Sequence, residues 1–191
     1  MKTNKKQLNI ILGGAAILVF FIIAITVISN GGTTPPTNNL EDTSSTTDKR
    51  AVLKRQIPDL TLKDYDGNDV RLQDIEGDVV LLNSWATWCP FCVNEIPDFV
   101  QAQNTLEGQA TVVLINRQES LSRAKKFTDD LGATGNVITL LDPSDSFYKK
   151  IGGFAMPETL IVKDNNIVLH KRGPMKFEEV VEKLRSALES T

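Results

Sequence analysis

The chain holds two cysteines in 191 residues, and both fall in the run Trp88-Cys89-Pro90-Phe91-Cys92. Two thiols with two residues between them, where a strand turns into a helix, can pass two electrons by opening and closing one disulfide. The flanking residues supply that junction. Val79 to Leu82 reads as a buried strand, Trp85 to Trp88 as the turn out of it, and Pro90 onward as a helix. A purely structural disulfide fits less well, because a bridge across two residues constrains the unfolded chain very little. A zinc site needs about four ligands, and two cysteines with one distant histidine, His170, do not supply them.

The elements around the pair follow from periodicity. Ile57 to Leu62 alternates apolar and polar, Asp64 to Asn68 supplies turn residues, and Val70 to Leu72 alternates again, the pattern of a β-hairpin. Asp78 to Ser84 and Thr111 to Asn116 are continuous apolar runs, predicting strands buried on both faces. Between them a helix is predicted from Pro90 to about Leu106, with Pro90 at the first helical position and Pro97 kinking its interior. Leu121 to Leu131 has helical spacing and ends at Gly132; Val137 to Leu141 reads as extended, and Ser144 to Ile151 as a short helix. Thr159 to Lys163 and Ile167 to Lys171 flank the turn Asp164-Asn165-Asn166, and apolar residues from Phe177 to Leu188 mark a last amphipathic helix. A hairpin, a βαβ unit, an antiparallel pair and a closing helix predict an α/β, thioredoxin-like fold: a central mixed sheet flanked by helices.

The N-terminal region predicts where the chemistry happens. Lys2, Lys5 and Lys6 precede the uncharged stretch 8–28, which as a helix spans roughly 30 Å, the thickness of a bilayer core. No basic residue follows until Lys49. The reading is therefore a cytoplasmic N-terminus at 1–7, a single-pass transmembrane anchor at 8–28, a polar flexible tether at 29–50 and one extracytoplasmic domain at 51–191. The rival is a cleaved signal peptide, whose apolar core is ordinarily shorter, about 7–15 residues. Of the 21 Lys and Arg, five precede Ala51, and of the 24 Asp and Glu, three do, so the domain is net acidic and offers no basic patch for nucleic acid. Thiols outside the cytoplasm are not held reduced by the cytosolic pool, which suits disulfide exchange.

LLNSWATWCPFCVNEIPDF, followed further on by GGFAMPETLIVKDNNIV, resembles the TlpA/ResA branch of membrane-tethered thioredoxin-like thiol–disulfide oxidoreductases over about residues 55–190. The resemblance implies that Cys89 is the nucleophile at the start of the helix, where unpaired N–H groups and a partial positive charge favour a thiolate. Cys92, one turn in and more buried, is then the resolving thiol. Met156-Pro157 matches the family's cis-proline loop beside the disulfide, and Glu95 matches a family glutamate three residues after the second cysteine. Glu95 shares a helix face with Cys92 and is the implied proton carrier, because Asn83 stands where cytoplasmic thioredoxins have a buried Asp. A solvated surface charge is the alternative for Glu95. Trp88, Pro90, Phe91, Met156 and Pro157 are the implied substrate-binding surface, whereas Trp85 reads as a core aromatic and His170 as an edge-strand residue without a catalytic part.

No cofactor and no metal are implied. The implied partners are disulfide-containing exported or membrane proteins, among them apocytochrome c awaiting haem, and a membrane thiol carrier as electron donor. Where many relatives have Pro before the second cysteine, this chain has Phe91, preceded by Pro90. Cys-Pro-x-Cys also occurs in strongly oxidising members of the fold, so the direction of electron flow stays open between a reductase and a disulfide donor. A copper-binding chaperone on the same fold is a third reading, poorly matched by the cysteine spacing and by the place of His170. A peroxidase reading lacks the Thr-x-x-Cys arrangement, since Thr87 stands two residues before Cys89 rather than three.

Overall fold

Seven strands form one mixed sheet, and the strand that leads into the cysteine pair lies inside it, with a hydrogen-bonded neighbour on each side. The computed structural model describes residues 55–106 and 108–190. The segments expected at 1–7, 8–28 and 29–50 lie outside them, and among the described residues no helix is long and apolar enough to cross a membrane.

Strands β1 (Thr61–Asp64) and β2 (Asp69–Arg71) make the expected hairpin. It begins later than the alternation alone predicts, because Ile57 packs in the core ahead of the strand and Leu72 opens a 3-10 turn, Leu72–Asp74. β3 (Val79–Trp85), α1 (Pro90–Thr105) and β4 (Ala110–Arg117) form the βαβ unit, with β3 and β4 parallel from Val79 opposite Ala110 to Trp85 opposite Asn116. α2 (Leu121–Asp130) returns the chain to β5 (Ile138–Asp142), which lies parallel to β4 and antiparallel to β1. The short α3 (Ser146–Lys150) precedes β6 (Glu158–Lys163) and β7 (Asn166–Arg172), an antiparallel pair that ends the sheet. α4 (Phe177–Glu189) closes the fold, and the sheet runs in the order β2-β1-β5-β4-β3-β6-β7.

Alternate residues of β3 serve the two faces of the sheet, as the period of a strand requires. Val79, Leu81 and Trp85 join one core, with Ile96 and Phe99 of α1, Ala124 of α2, and Val180 and Leu184 of α4. Val80 and Leu82 join the other, which the short α3 closes with Phe147, aided by Ile151 just after it and by Ile57 and Leu72. Helices thus cover both faces, but unevenly: three on one, and one helix of five residues with the N-terminal segment on the other. Pro97 lies inside α1, on its exposed side. Burial of every residue of β3 makes it a rigid base for the residues that follow it.

Candidate active site

Cys89 is the N-cap of α1, in extended conformation, and Pro90 takes the first helical position, where its missing N–H costs no hydrogen bond. Cys89 and Cys92 form a disulfide. The backbone N–H of Cys92 donates to the sulfur of Cys89 at 3.2 Å, so the sulfur takes the place that a Ser or Asp oxygen fills in an ordinary N-cap. The same N–H, with the partial positive charge of the helix end, is set to stabilise a thiolate on Cys89 once the bridge opens. Cys92 is fully buried, whereas Cys89 keeps 4% exposure, so any partner arriving from solvent meets Cys89 first.

Glu95 lies one turn beyond Cys92 and is buried, with 1% exposure, which rules out the solvated surface charge. Its Oε1 accepts from Asn83 Nδ2 at 2.8 Å and its Oε2 from the backbone N–H of Met175 at 3.1 Å. Burial pushes its carboxyl up to about 8, against the lowering effect of the Met175 and Asn83 hydrogen bonds. Glu95 also lines a surface cavity of about 330 Å³ with Phe91, Asn94, Pro174, Met175, Lys176 and Glu179. A larger cleft of about 520 Å³, by Gln103 and Asn136, is lined by no residue of the cysteine loop. We place the candidate site at the smaller cavity, because that one joins the cysteine loop to a carboxyl with a raised pKa.

The loop before β6 reaches the same end of the sheet as the cysteine pair. The Met156–Pro157 peptide bond is cis, Pro157 is buried, and Met156 packs against the core cluster that contains both cysteines. Ser84 stands opposite Glu158 in the β3–β6 register, which brings this loop to the end of β3 from which the cysteine loop leaves. Trp88 and Phe91 are exposed, as is Pro90, while Trp85 is wholly buried in the core.

Two carboxylates that sequence reasoning missed hold the loops on either side of the disulfide. Glu158 is fully buried and accepts from the backbone N–H groups of Phe154 at 2.7 Å and Ala155 at 3.0 Å, and pairs with His170 Nε2 at 2.5 Å. Burial alone would raise its pKa, but the Ala155 and Phe154 amides and His170 together hold it below the usual carboxylate range. His170 does lie on the edge strand, but it serves this clamp rather than standing free. Tyr148 donates its hydroxyl to the Ala155 carbonyl at 2.9 Å, and its ring passes so close to Gly153 that a Cβ there would lie 2.5 Å from it. On the opposite side, Glu119 accepts from the Thr87 N–H at 2.8 Å, from the Thr87 hydroxyl at 2.5 Å and from Asn116 Nδ2 at 2.8 Å. Arg123 completes this set at 3.0 Å from Glu119. A charge opening the otherwise uncharged stretch Glu158–Val162 was the available signal for Glu158; for Glu119 there was none.

The sequence and the fold agree with known proteins. A profile described as the AhpC/TSA family matches residues 53–171. The thiol–disulfide oxidoreductase ResA of Geobacillus thermodenitrificans is 30% identical over 143 residues, covering 73% of this chain and 81% of its own. The chain belongs to the AhpC/TSA family. Within that family it is a thioredoxin-like thiol–disulfide oxidoreductase of the ResA/DsbE type. The thiol:disulfide interchange protein DsbE of Haemophilus influenzae is 36% identical over 126 residues, covering 64% of this chain and 66% of its own. Among solved structures, a putative DsbE from Chlorobium tepidum superposes with a TM-score of 0.63 at 27% identity, covering 71% of this chain and 96% of that one.

Proposed function

We propose that this AhpC/TSA family member is an extracytoplasmic reductase of disulfides in exported or membrane proteins, held to the membrane by residues 8–28. The observation that carries the reading is the N-cap sulfur: Cys89 combines the edge exposure of a nucleophile with an N–H donor for its thiolate. In the reduced protein the Cys89 thiolate attacks a client disulfide, forming a Cys89–client mixed disulfide and releasing one client thiolate. The Cys92 thiolate then attacks the Cys89 sulfur, forming the Cys89–Cys92 bridge and releasing the second client thiol. The client gains two electrons and two protons, and the protein loses them. A membrane thiol carrier returns it to the dithiol form.

Glu95 carries the Cys92 proton in this scheme. A carboxyl raised to about 8 lies close to an ordinary thiol at about 8.5, so transfer between them is nearly balanced. Trp88, Pro90, Phe91 and Met156 form the surface that receives the client chain, to which Pro157, being buried, adds no exposed area. Apocytochrome c is the proposed client class, since its cysteines must be thiols before haem attaches.

The test is trapping. Incubated with a disulfide-containing peptide, reduced Cys92→Ser accumulates a mixed disulfide visible by mass, and Cys89→Ser forms none. Full exchange activity in Cys89→Ser would contradict the assignment. The Pro90-Phe91 dipeptide favours a second reading, a disulfide donor. Equilibration with glutathione separates the two: a potential near ~−270 mV selects the reductase and one near ~−120 mV the donor.

A further inference from the structure

Exposed large apolar side chains are scattered singly on most proteins, but here they gather. Trp88 (57%), Phe91 (61%), Leu121 (40%) and Phe154 (76%) all lie at the end of the sheet that carries the disulfide, and Val168 is the one exception among the described residues. Trp88 and Phe91 belong to the cysteine loop itself. Leu121 opens α2 just beyond β4, which ends beside β3 because the two are parallel. Phe154 enters through the loop that Glu158 ties down next to the end of β3.

Phe154 is both the most exposed of these and held in place. The Arg172 guanidinium carbon sits 4.5 Å from the centroid of its ring, and Arg172 Nε is 3.6 Å from Glu158. The backbone N–H of Phe154 is bound by the same carboxylate at 2.7 Å. One side of the ring is therefore fixed by a cation while most of it faces solvent, so an apolar group can pack on it with little further ordering. Two residues on, the N–H and C=O of Met156 have no hydrogen-bond partner among the described residues. Such a pair of backbone groups fits another backbone, which points to a polypeptide rather than a small thiol as the occupant.

We infer that Phe154, fixed by Arg172, is a specificity-determining residue that selects extended polypeptides with a bulky apolar residue beside the reacting cysteine. This rests on the exchange chemistry proposed above and goes further by naming the class of client. The Met156 backbone aligns the client chain, and Phe154 receives the side chain next to its cysteine.

The test uses the reduced protein in single turnover with two cysteine peptides, each linked to glutathione as a mixed disulfide. One peptide carries Leu and Phe beside the cysteine, and the other carries Ser and Gln. In each event the peptide thiol and glutathione are released, and the protein ends as the Cys89–Cys92 disulfide. The apolar peptide is expected to react about tenfold faster at limiting concentration, a preference of the size that partial burial of one large side chain supplies. Phe154→Ala brings the ratio of the two rates to near one, and Phe154→Tyr restores it. The ratio is the readout because impaired folding slows both peptides alike. A wild-type ratio near one, or a preference retained in Phe154→Ala, overturns the inference. Failure of the wild type to reduce either peptide instead overturns the exchange reading beneath it.

Discussion

Asn83 donates from Nδ2 to Glu95 Oε1 at 2.8 Å and to Thr159 Oγ1 at 3.0 Å, tying β3 to the helix of the cysteines and to β6. An amide has no proton to give up in the physiological range. Glu95 is therefore the titratable member of this buried set, and its protonation can be read in two ways.

Stability is the first. The folded carboxyl is pushed up to about 8 by burial, from an ordinary 4.5. The folded state thus holds a proton that the unfolded chain releases in that window, and stability present in full below 4.5 is lost as the pH rises through about 8. Glu95→Gln removes that dependence. Thermal unfolding is expected to shift in favour of the variant, relative to wild type, by roughly 5 °C or more between about pH 5 and about pH 9. An unchanged difference would show that Glu95 titrates normally.

Turnover is the second reading of the same group. With the proton carrier gone, Glu95→Gln is expected to slow disulfide exchange by about 10²-fold, the low end for a lost general acid or base. With a carboxyl pushed up to about 8, the wild-type pH–rate profile is expected to bend near that pH and the variant's is not, which stopped-flow measurement of peptide reduction will show.

The two tryptophans should separate stability from activity. Trp85 is fully buried, so Trp85→Ala is expected to cost about 3–5 kcal/mol in urea unfolding. Trp88 is 57% exposed, so Trp88→Ala should stay within about 0.5 kcal/mol of wild type. Its effect belongs in the KM for a peptide disulfide, which should rise.

Glu158 holds two backbone amides and His170 from a fully buried position. Glu158→Ala leaves those donors without an acceptor and is expected to destabilise by about 2–4 kcal/mol. Because the carboxylate is held below its usual range, its contribution is present above the unfolded pKa and fades as the pH falls through the folded one. The deficit of the variant should therefore shrink in acid, and unfolding at a series of pH values will show whether it does.

Much of this site was legible before any coordinates. The Cys89–Cys92 pair, the Pro90 helix start and the Met156-Pro157 loop each carry a local signature, since the chemistry needs particular residue types at fixed spacing. The interior strands announced themselves as apolar runs, and the helix between the first two marked them as a βαβ unit. The clamps did not. Glu119 meets Thr87 across 32 positions of sequence, and Tyr148 closes on Ala155 only because α3 packs against the sheet. His170 looked idle because its partner, Glu158, begins the neighbouring antiparallel strand. Such contacts depend on register, which a single sequence shows only weakly.

The most direct check is to equilibrate the protein with glutathione buffers of graded potential, quench with an alkylating reagent and count the modified sulfurs by mass. We predict one two-electron transition, from a species with no labelled sulfur to one labelled at both Cys89 and Cys92. A protein whose sulfurs take up no label in any reducing buffer would contradict the central claim, because a bridge that never opens to reagents cannot exchange with a client.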